Sequence, residues 1–473
     1  MEQVSIHEVA AWTGGSYAGP GLPISGVGID SRKIRPGELF VPLRGASADG
    51  HAFLGEAFAS GAAAALVERP ETAAEHRAMG RAVIEVKDAL AALGAMGRAY
   101  RDSLDITVVG VTGSNGKTTT KEMLRLILGG RAVVSPASYN NDLGVPLSLL
   151  QAKRHHSVCV VEMGTSASGE IARLAELARP NIGVVLNVSE SHLAGLGDLD
   201  GVAREKFALV EALGPDGCAV LNYDDEITRK MIPKAPGFVL SFGTWPDADV
   251  YAGEVRASRR LVSFQLLNKR RVKMNVLGVH HVHDALAAAG VALWLGYEPT
   301  DIADRLEQYK PAPMRMVVEE IADVRLVNDA YNANPRSMES AILEMSYRGG
   351  SGRRVLVLGD MLELGDRTEE LHTRIGTLAG RSRIDLLWAI GPLSEATARA
   401  ARAAGLKDVH WTPDVKTAME QPPFKPRARD VLLFKASRGV RLERVHEAVK
   451  QELLERRRAR ALRAARRRES AKT

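Results

Sequence analysis

Residues 110–120 read GVTGSNGKTTT and follow the apolar run ITVV at 106–109. Glycines allow backbone conformations that are closed to other residues, so successive N–H groups of such a loop can converge on one anion. The helix that follows, over 119–128, points its N-terminus at the same place. Lys117 can reach a terminal phosphate, and the Thr118 hydroxyl can bind Mg²⁺. The stretch therefore predicts a nucleotide phosphate site.

The strict P-loop spacing is missed by one residue, because five residues separate Gly110 from Gly116. The apolar run before the loop and the helix after it still favour a nucleotide site over chance turn glycines, and ATP is the expected nucleotide. The residues predicted to hold it are Thr112, Gly113, Ser114, Asn115, Gly116, Lys117, Thr118 and Thr119.

Two further residues follow apolar runs in the same part of the chain. Glu162 closes the run VCVVEMG, and His192 follows VVLNV. Ligands collect at the carboxyl ends of strands in open α/β sheets, so these residues and Thr118 predict a Mg²⁺ site, although either one alone could be structural. No DxxG or NKxD guanine signature follows. Lys206, on an amphipathic helical pattern over 201–213, is interpreted from its position alone as a solvated lysine.

The order of apolar runs predicts an α/β fold of three domains. Runs such as 38–43, 63–68 and 83–86 indicate a small mixed α/β domain over 1–103. Runs at 106–111, 158–164 and 181–188 indicate a central P-loop-type ATPase domain with a mostly parallel sheet over 104–312. Runs at 324–329, 354–360, 385–391 and 430–436 indicate a C-terminal Rossmann-like domain over 313–455, and KPAPM at 310–314 is the predicted hinge.

Composition fits a soluble protein of 473 residues, with 45% apolar and 25% charged residues. No apolar run is long enough to span a bilayer, and no signal peptide is visible at the start. Cys159 and Cys218 lie in apolar runs and are predicted to be buried free thiols, as expected in the cytoplasm. We expect a monomer.

A basic tail accounts for the positive charge of the chain. Residues 456–473 hold eight Arg, one Lys and one Glu, a net charge of +8, so the other residues together carry −2 of the total of +6. We interpret the tail as a solvated extension of the last helix. A nucleic-acid or membrane role is the alternative, but no interleaved aromatic residues could stack on bases, so no nucleic-acid partner is expected.

GVTGSNGKTTT, together with VVEMGTSASGEI, NVSESHLAGLG and GVAREK, resembles the Mur ligase family of ATP-dependent amide-bond-forming enzymes of peptidoglycan synthesis. SYNNDLGVPLSLL (138–150), DAYNANPRSM (329–338) and VLGDMLELG (357–365) look like the member that adds D-Ala-D-Ala to UDP-N-acetylmuramoyl-tripeptide. The resemblance runs from about 30 to 443. It implies that ATP phosphorylates the tripeptide carboxylate and that the dipeptide amine then attacks the acyl phosphate.

The resemblance also implies roles for individual residues. Lys117 and Arg315 would act on the phosphates, Thr118 and Glu162 would bind one Mg²⁺, and His192 would help to hold a second. Lys206 matches the family lysine that CO₂ carbamylates, which would make it an anionic ligand of the metal. Residues assigned to substrates are Asp30, Ser31, Arg32, Asp49 and His51 for the UDP part; Asn140 and Asn141 for the muramoyl peptide; and Asp329, Tyr331, Asn332, Asn334 and Ser337 for ATP and the dipeptide, with Asp329 and Asn332 on the ATP side.

Two groups of these residues keep an alternative. Lys435, Ser437 and Arg438 end a predicted strand and would face the dipeptide carboxylate, or serve only the strand end. The second group is the UDP stretch, which would bind substrate or form only a turn and a helix cap, and for Asp49 the two alternatives are nearly even. Its residues are Asp30, Ser31, Arg32, Asp49 and His51.

One stretch departs from the family pattern. Where the family commonly reads HNVxNALAA on the adenine side, this chain reads HHVHDALAA at 280–288, so His281 and Asp284 replace two asparagines. Asn both donates and accepts hydrogen bonds, whereas ionised Asp only accepts. Asp284 could still accept from the adenine amino group, so ATP remains the expected nucleotide.

Two competing functions stay open at this point. Another member of the family would add a single amino acid or glutamate. A nucleotide-dependent scaffold protein would use the Arg-rich tail to reach a polyanion. The third residue of the tripeptide, diaminopimelate or lysine, is not readable from the sequence.

Overall fold

The structure, a computed structural model, describes residues 1–45, 48–136, 139–258, 260–348 and 352–470, and of residues 348 and 461–470 only the backbone. Ser138, the first residue of the SYNNDLG stretch, and the end of the basic tail lie outside the described residues. Three larger sheets, one in each domain, and one two-stranded sheet make up the three-domain α/β fold that the sequence predicts. The exact domain limits remain a prediction.

The first domain is built on a parallel sheet in the order β3-β4-β5-β6, with a short antiparallel pair, β1-β2, beside it. Its elements are β1 (Val4–Ser5), α1 (Ile6–Thr13), β2 (Pro23–Ile24), β3 (Gly26–Gly28), β4 (Glu38–Phe40), α2 (Leu54–Ala59), β5 (Ala64–Val67), α3 (Pro70–Ala78), β6 (Val83–Glu85) and α4 (Ala89–Asp102).

The central domain has a nine-stranded sheet in the order β15-β14-β13-β12-β11-β10-β7-β9-β8, parallel except for its antiparallel edge β13-β14-β15. Its elements are β7 (Thr107–Thr112), α5 (Lys117–Leu128), β8 (Ala132–Val134), α6 (Gly144–Leu149), β9 (Val158–Glu162), α7 (Glu170–Ala178), β10 (Ile182–Val185), α8 (Leu193–Leu196), α9 (Leu199–Glu211), β11 (Cys218–Asn222), α10 (Glu226–Arg229), β12 (Phe238–Gly243), β13 (Val250–Ala257), β14 (Val262–Leu266), β15 (Arg270–Met274), α11 (His280–Trp294) and α12 (Pro299–Leu306).

The C-terminal domain has a six-stranded sheet in the order β16-β17-β21-β18-β19-β20, in which the edge strand β16 is antiparallel. Its elements are β16 (Val317–Ile321), β17 (Val324–Asn328), α13 (Pro335–Arg348), β18 (Arg354–Gly359), α14 (Thr368–Arg381), β19 (Leu386–Ile390), α15 (Ser394–Ala403), β20 (Val409–Thr412), α16 (Val415–Glu420), β21 (Val431–Lys435) and α17 (Glu443–Ser470). Helix α17 therefore continues into the basic tail, as the solvated-helix interpretation predicts.

The apolar runs become fully buried strands because helices cover both faces of the parallel sheets. All five residues of β9 and all four of β10 are buried. Cys159 and Cys218 are buried free thiols, which confirms the prediction, and burial raises the pKa of each to about 12.

The register of the central sheet brings the predicted site residues to one edge. Val111 of β7 lies opposite Glu162 of β9, and Thr112 lies opposite Val185 of β10. The glycine loop, Glu162 and the segment that leads to His192 therefore leave the sheet side by side. Strand β9 lies on one side of β7 and strand β10 on the other, so the strand order of the sheet reverses at β7. Open α/β sheets bind ligands at such a reversal, next to the carboxyl ends of the strands.

Among the described residues, no helix combines the length and the apolar character needed to cross a bilayer.

Tyr100 of α4 joins three parts of the chain. Its buried hydroxyl donates to the Ala152 carbonyl and accepts from the Glu2 amide, each at 2.7 Å. We predict that Tyr100→Phe lowers the free energy of unfolding by about 1–2 kcal/mol, because two backbone groups lose their partner. The midpoint of urea unfolding measures this loss. Tyr347→Phe, at a side chain that is 80% exposed, is the control; an equal midpoint for both variants would contradict the prediction.

Candidate active site

A cavity of about 1220 Å³ lies between the central and C-terminal domains. The predicted site residues that line it are Ser114, Asn115, Gly116, Lys117, Thr118, Thr119, Asn140, Asn141, Glu162, His192, His281, Asp284, Arg315, Asp329, Tyr331, Asn332, Asn334, Ser337, Lys435, Ser437 and Arg438. The structure thus brings together residues that the sequence spreads over more than 320 positions. Thr112, Gly113 and Lys206 lie behind the wall, and the five residues of the first domain lie elsewhere.

The glycine loop adopts the backbone that its sequence predicts. Gly113 has a φ of +149° and Gly116 a φ of +89°, conformations that L side chains rarely adopt. A Cβ on Gly116 would lie 2.2 Å from Asp284 Oδ1. Lys117 Nζ donates to the Gly113 carbonyl at 2.7 Å, so the lysine folds back across the loop. Its pKa is lowered, chiefly by burial.

Glu162 is the acceptor at the centre of the cavity floor and is 3% exposed. The Thr118 hydroxyl donates to its Oε2 at 2.9 Å, and Asn140 Nδ2 donates to its Oε1 at 3.1 Å. Lys121 Nζ lies 3.4 Å from Oε2. Lys121 has no exposed side-chain surface and was not among the predicted site residues; its position one helical turn after Thr118 is the signal that could have identified it.

Arg315 connects the hinge to this floor. Its Nη2 donates to Thr118 Oγ1 at 2.9 Å, and its guanidinium carbon lies 4.1 Å from the centroid of the Tyr331 ring. Both neighbours, Met314 and Met316, have a positive φ, of 59° and 53°. The backbone on each side of Arg315 is therefore held in a sparsely populated conformation, which is common at functional sites.

The segment before His192 is tied to the glycine loop. Asn187 accepts from the Asn115 amide at 3.0 Å and donates to the Asn115 carbonyl at 3.1 Å. Ser114 Oγ donates to the Ser189 carbonyl at 3.1 Å and accepts from the Ser189 amide at 3.0 Å. These bonds fix the two loops as one unit, so His192 keeps a set position relative to the phosphate site.

His192 itself has a φ of 54° and lies at the N-terminus of α8. Its Nδ1 is hydrogen-bonded to Glu363 Oε2 of the C-terminal domain. Burial, the largest effect, lowers the pKa of His192 despite the neighbouring carboxylate. This shift favours the neutral imidazole, which is the form that can bind a metal.

Lys206 is 2% exposed, so its interpretation as a solvated lysine is wrong. The face of α9 that carries Lys206 packs on the central sheet. An amphipathic pattern does not separate a residue on the buried face of a helix from a residue beside that face. Burial and then the positive charge of Lys117 lower the Lys206 pKa well below its ordinary value. Burial at this position therefore favours the neutral form of the amine.

The YNANP signature reaches across to the glycine loop. Asn334 Nδ2 donates to Asn115 Oδ1 at 3.0 Å, and Asn115 Nδ2 donates to Asn334 Oδ1 at 3.3 Å. Ser337 Oγ accepts from the Asn334 amide at 3.0 Å and so holds this turn. Lys435 Nζ donates to Asp329 Oδ2 at 2.6 Å and to the Asn332 carbonyl at 3.0 Å.

Other predicted residues at the cavity make local contacts. Asn141 accepts from the Gly144 amide at 2.9 Å, at the start of α6. Ser437 Oγ donates to the Ala333 carbonyl at 3.2 Å. Arg438 has a half-exposed side chain near Glu443, at 3.3 Å.

His281 and Asp284 lie together on α11, with Nδ1 and Oδ2 3.6 Å apart. Neither ring nitrogen of His281 has a hydrogen-bond partner among the described residues, although both are buried. Burial lowers the pKa of His281 to about 4 and raises that of Asp284 to about 6. The neutral ring cannot balance the carboxylate, which lies against Gly116.

In the first domain, the predicted UDP-binding residues make cap contacts. Asp30 accepts from the Arg32 amide at 3.2 Å and from Arg32 Nε at 2.9 Å, while Ser31 Oγ donates to Glu56. Asp49 accepts from the His51 amide at 3.0 Å, as its alternative interpretation as a cap predicts. A role in substrate binding stays a prediction for all five residues.

We predict that Asp284→Asn stabilises the protein near pH 7.5 and has no such effect near pH 4. A carboxyl whose pKa is raised from 3.8 to about 6 on folding destabilises the folded state increasingly as pH rises between these values, and fully above them. The gain at pH 7.5 is on the order of 2–3 kcal/mol, because each pKa unit corresponds to about 1.4 kcal/mol. Thermal unfolding of both proteins across this pH range measures it.

Asp216→Asn, at an exposed turn of the same domain, is the matched control. A stabilisation by Asp284→Asn that is equal at pH 4 and pH 7.5 would contradict the assigned ionisation.

Comparison with known proteins matches successive parts of the chain to three family profiles. They are the Mur ligase family catalytic domain over 23–101, the Mur ligase middle domain over 111–292 and the Mur ligase glutamate ligase domain over 314–438.

Full-length similarity gives the same result. The chain is 35% identical to the UDP-N-acetylmuramoyl-tripeptide–D-alanyl-D-alanine ligase of Bacillus subtilis, over 94% of this chain and 98% of the relative. It is similar to a crystal structure of MurF from Acinetobacter baumannii, with a TM-score of 0.86, 30% identity and coverage of 95% and 99%. It is also similar to the ADP complex of Thermotoga maritima MurF ligase, with a TM-score of 0.79, 29% identity and coverage of 91% and 98%. The motifs, the three sheets and these full-length matches agree, and the chain belongs to the Mur ligase family.

Proposed function

We propose that this protein joins D-alanyl-D-alanine to UDP-N-acetylmuramoyl-tripeptide, using ATP, and so forms the UDP-muramoyl-pentapeptide precursor of peptidoglycan. The observation that carries the proposal is the near full-length match to ligases of this name. The geometry supports it, because the glycine loop of the central domain faces the YNANP signature of the C-terminal domain across one cavity.

The reaction has two steps in this account. An oxygen of the tripeptide C-terminal carboxylate attacks the γ-phosphorus of ATP, the bond between the β- and γ-phosphates breaks, and ADP leaves. The amine of D-Ala-D-Ala then attacks the acyl carbon, a C–N bond forms, the amine loses a proton, and phosphate leaves with the former carboxylate oxygen. Such chemistry depends mainly on positioning and charge neutralisation, for which Lys117 and Arg315 lie at the glycine loop.

The residues at the cavity floor fit Mg²⁺. The Thr118 hydroxyl and Glu162 offer hard oxygen ligands 2.9 Å apart, and His192 lines the same cavity. Within the described ranges no group of three or more His, Cys, Asp or Glu side chains could hold an ion. A small number of protein ligands is compatible with Mg²⁺, because proteins commonly bind this ion through one or two side chains together with substrate phosphates. Mg²⁺ bound there would neutralise charge on the phosphates.

We further propose that Lys206 carries a carbamate. Its lowered pKa supplies the neutral amine that the modification needs. Nζ attacks the carbon of CO₂, an N–C bond forms, and one proton is lost. The side chain then carries a negative charge, which suits a position close to Lys117 and to the Mg²⁺ ligands, where an ammonium would repel a metal.

In the C-terminal domain, Arg438 is the better candidate for the dipeptide carboxylate. Lys435 is buried and already paired with Asp329, which supports a structural role for this lysine at the strand end. Arg438 lines the cavity with a side chain that is 55% exposed. A guanidinium can bind a carboxylate through two parallel hydrogen bonds.

The UDP part would bind the first domain near Asp30, Ser31, Arg32, Asp49 and His51. Buried free thiols and use of ATP support a cytoplasmic protein.

The second candidate function is the addition of a single amino acid or glutamate by another type of Mur ligase. The match of residues 314–438 to the Mur ligase glutamate ligase domain favours this candidate.

Phosphate release from Mg-ATP distinguishes the two functions. We expect release that requires both UDP-muramoyl tripeptide and D-Ala-D-Ala, with a pentapeptide product of matching amount detected by mass spectrometry. Each single amino acid, including glutamate, replaces the dipeptide in a parallel reaction. Release that proceeds with a single amino acid would contradict the proposal and favour the second function.

We predict that Lys206→Ala abolishes ligation and that added bicarbonate does not restore it, because alanine has no amine to carbamylate. The wild-type protein, freed of CO₂ at mildly acidic pH, should lose activity and regain it with bicarbonate. With ¹³C-bicarbonate it should show a carbamate ¹³C signal that Lys206→Ala lacks. Full activity of Lys206→Ala would remove this residue from the reaction.

A further inference from the structure

The loop that follows β18 reaches from the C-terminal domain to His192. This loop, which contains GDMLELG, is held by its own domain. The Met361 amide donates to His372 Nε2 at 3.1 Å, and the Leu362 amide donates to Ser437 Oγ at 2.9 Å. The backbone is therefore fixed up to Glu363.

Glu363 makes polar contacts with the central domain. Its carboxylate is hydrogen-bonded to His192 Nδ1, and its carbonyl accepts from the Ala194 amide at 3.2 Å. A side-chain bond and a backbone bond thus join Glu363 to the first turn of α8. This second bond fixes the approach of the loop as well as the position of one carboxylate.

Both residues of this contact have an unfavourable backbone conformation. His192 has a φ of 54° and Glu363 a φ of 63°, in the left-handed region that non-glycine residues seldom occupy. A residue in this conformation is strained, and it persists where the surroundings impose it. Two strained residues from two domains that meet each other indicate a contact with a functional purpose.

Ion pairs across the same interface hold the two domains in this arrangement. Arg336 of α13 lies 2.5 Å from Asp225, and Arg374 of α14 lies 3.0 Å from Glu190. Asp225 is buried, so its pair is protected from solvent screening. Contact between the C-terminal and central domains therefore places Glu363 next to His192.

The chemical effect of the contact is on the imidazole. A neutral imidazole has one N–H donor and one acceptor nitrogen, and an ionised carboxylate can only accept. A carboxylate on Nδ1 therefore fixes the proton there and leaves the Nε2 lone pair available. In metal sites a carboxylate behind a histidine sets its tautomer and ring orientation in this way.

We propose that Glu363 is a positioning residue that fixes the Nδ1–H tautomer of His192 from the opposite domain, so that Nε2 is ready to bind a divalent cation when the two domains are in contact. The inference rests on the proposed role of His192 in metal binding. It makes docking of the C-terminal domain part of the assembly of the metal site.

The test uses the full chain and two readouts that do not depend on turnover. In protein labelled with ¹³C-histidine and free of metal, the Cδ2 chemical shift of His192, assigned by comparison with His192→Gln, reports the tautomer. Electron paramagnetic resonance with Mn²⁺ in the presence of ADP reports cation binding.

We expect the Nδ1–H tautomer in the wild type. Glu363→Ala should lose it and weaken Mn²⁺ binding by about tenfold, the lower end of the effect of removing such a carboxylate. Glu363→Gln, whose amide oxygen can still accept from Nδ1–H, should keep the tautomer and most of the affinity. Glu369→Ala, at an exposed glutamate of α14 that pairs with Arg399, is the matched control and should change neither readout.

An Nε2–H tautomer in the wild type, or unchanged tautomer and Mn²⁺ binding in Glu363→Ala, would overturn the inference. These outcomes are separable from failure of the proposed function. If the wild type ligates no dipeptide but Glu363→Ala still shifts both readouts, the substrate assignment fails and the role of Glu363 stands.

Discussion

Positive charge buried at the carboxyl edge of the central sheet is the constraint on which the rest of the structure depends. Lys121 and Lys206 are almost fully buried, Lys117 is partly buried, and burial lowers the pKa of all three. Unpaired buried ammonium groups are costly, so the site is stable only with anions or neutral amines nearby. Glu162 supplies one carboxylate. Nucleotide phosphates at the glycine loop and a carbamate on Lys206 would supply further negative charge, so the burial of these lysines favours the anionic ligands of the reaction.

No single domain contains the whole site. Arg315 reaches Thr118 from the hinge, Asn334 pairs with Asn115, and Glu363 holds His192. Closing such a cavity excludes water from an acyl phosphate, which water would otherwise hydrolyse. The domain arrangement and the chemistry are therefore linked through these polar contacts, while one apolar cluster, which includes Val188 and Leu196 of the central domain and Met338 and Leu364 of the C-terminal domain, packs the two domains together.

The sequence predicts the parallel strands well because residues buried on both faces leave continuous apolar runs, as in β9, β10 and β18. It does not predict the antiparallel edge β13-β14-β15, where β14 alternates apolar and polar residues in VSFQL. The glycine loop, Glu162 and His192 could be predicted because strand ends share one edge. Lys206 could not be placed by periodicity alone, since a lysine beside the apolar face of a helix is buried or solvated depending on what packs there. Glu363 could not be predicted because it contacts His192, which is distant in sequence. Lys121 could not be predicted because local patterns do not show that its helical turn is buried beside Glu162.

In the proposed reaction, the γ-phosphoryl group of ATP is transferred in this cavity to the carboxylate of the tripeptide before the amide bond forms. The most direct measurement uses UDP-muramoyl tripeptide with ¹⁸O in both oxygens of its C-terminal carboxylate, followed by mass spectrometry of the phosphate and the peptide after ligation with D-Ala-D-Ala. We expect one ¹⁸O in each released phosphate and one ¹⁸O kept in the new amide. Phosphate without ¹⁸O, formed alongside the ligated product, would contradict it.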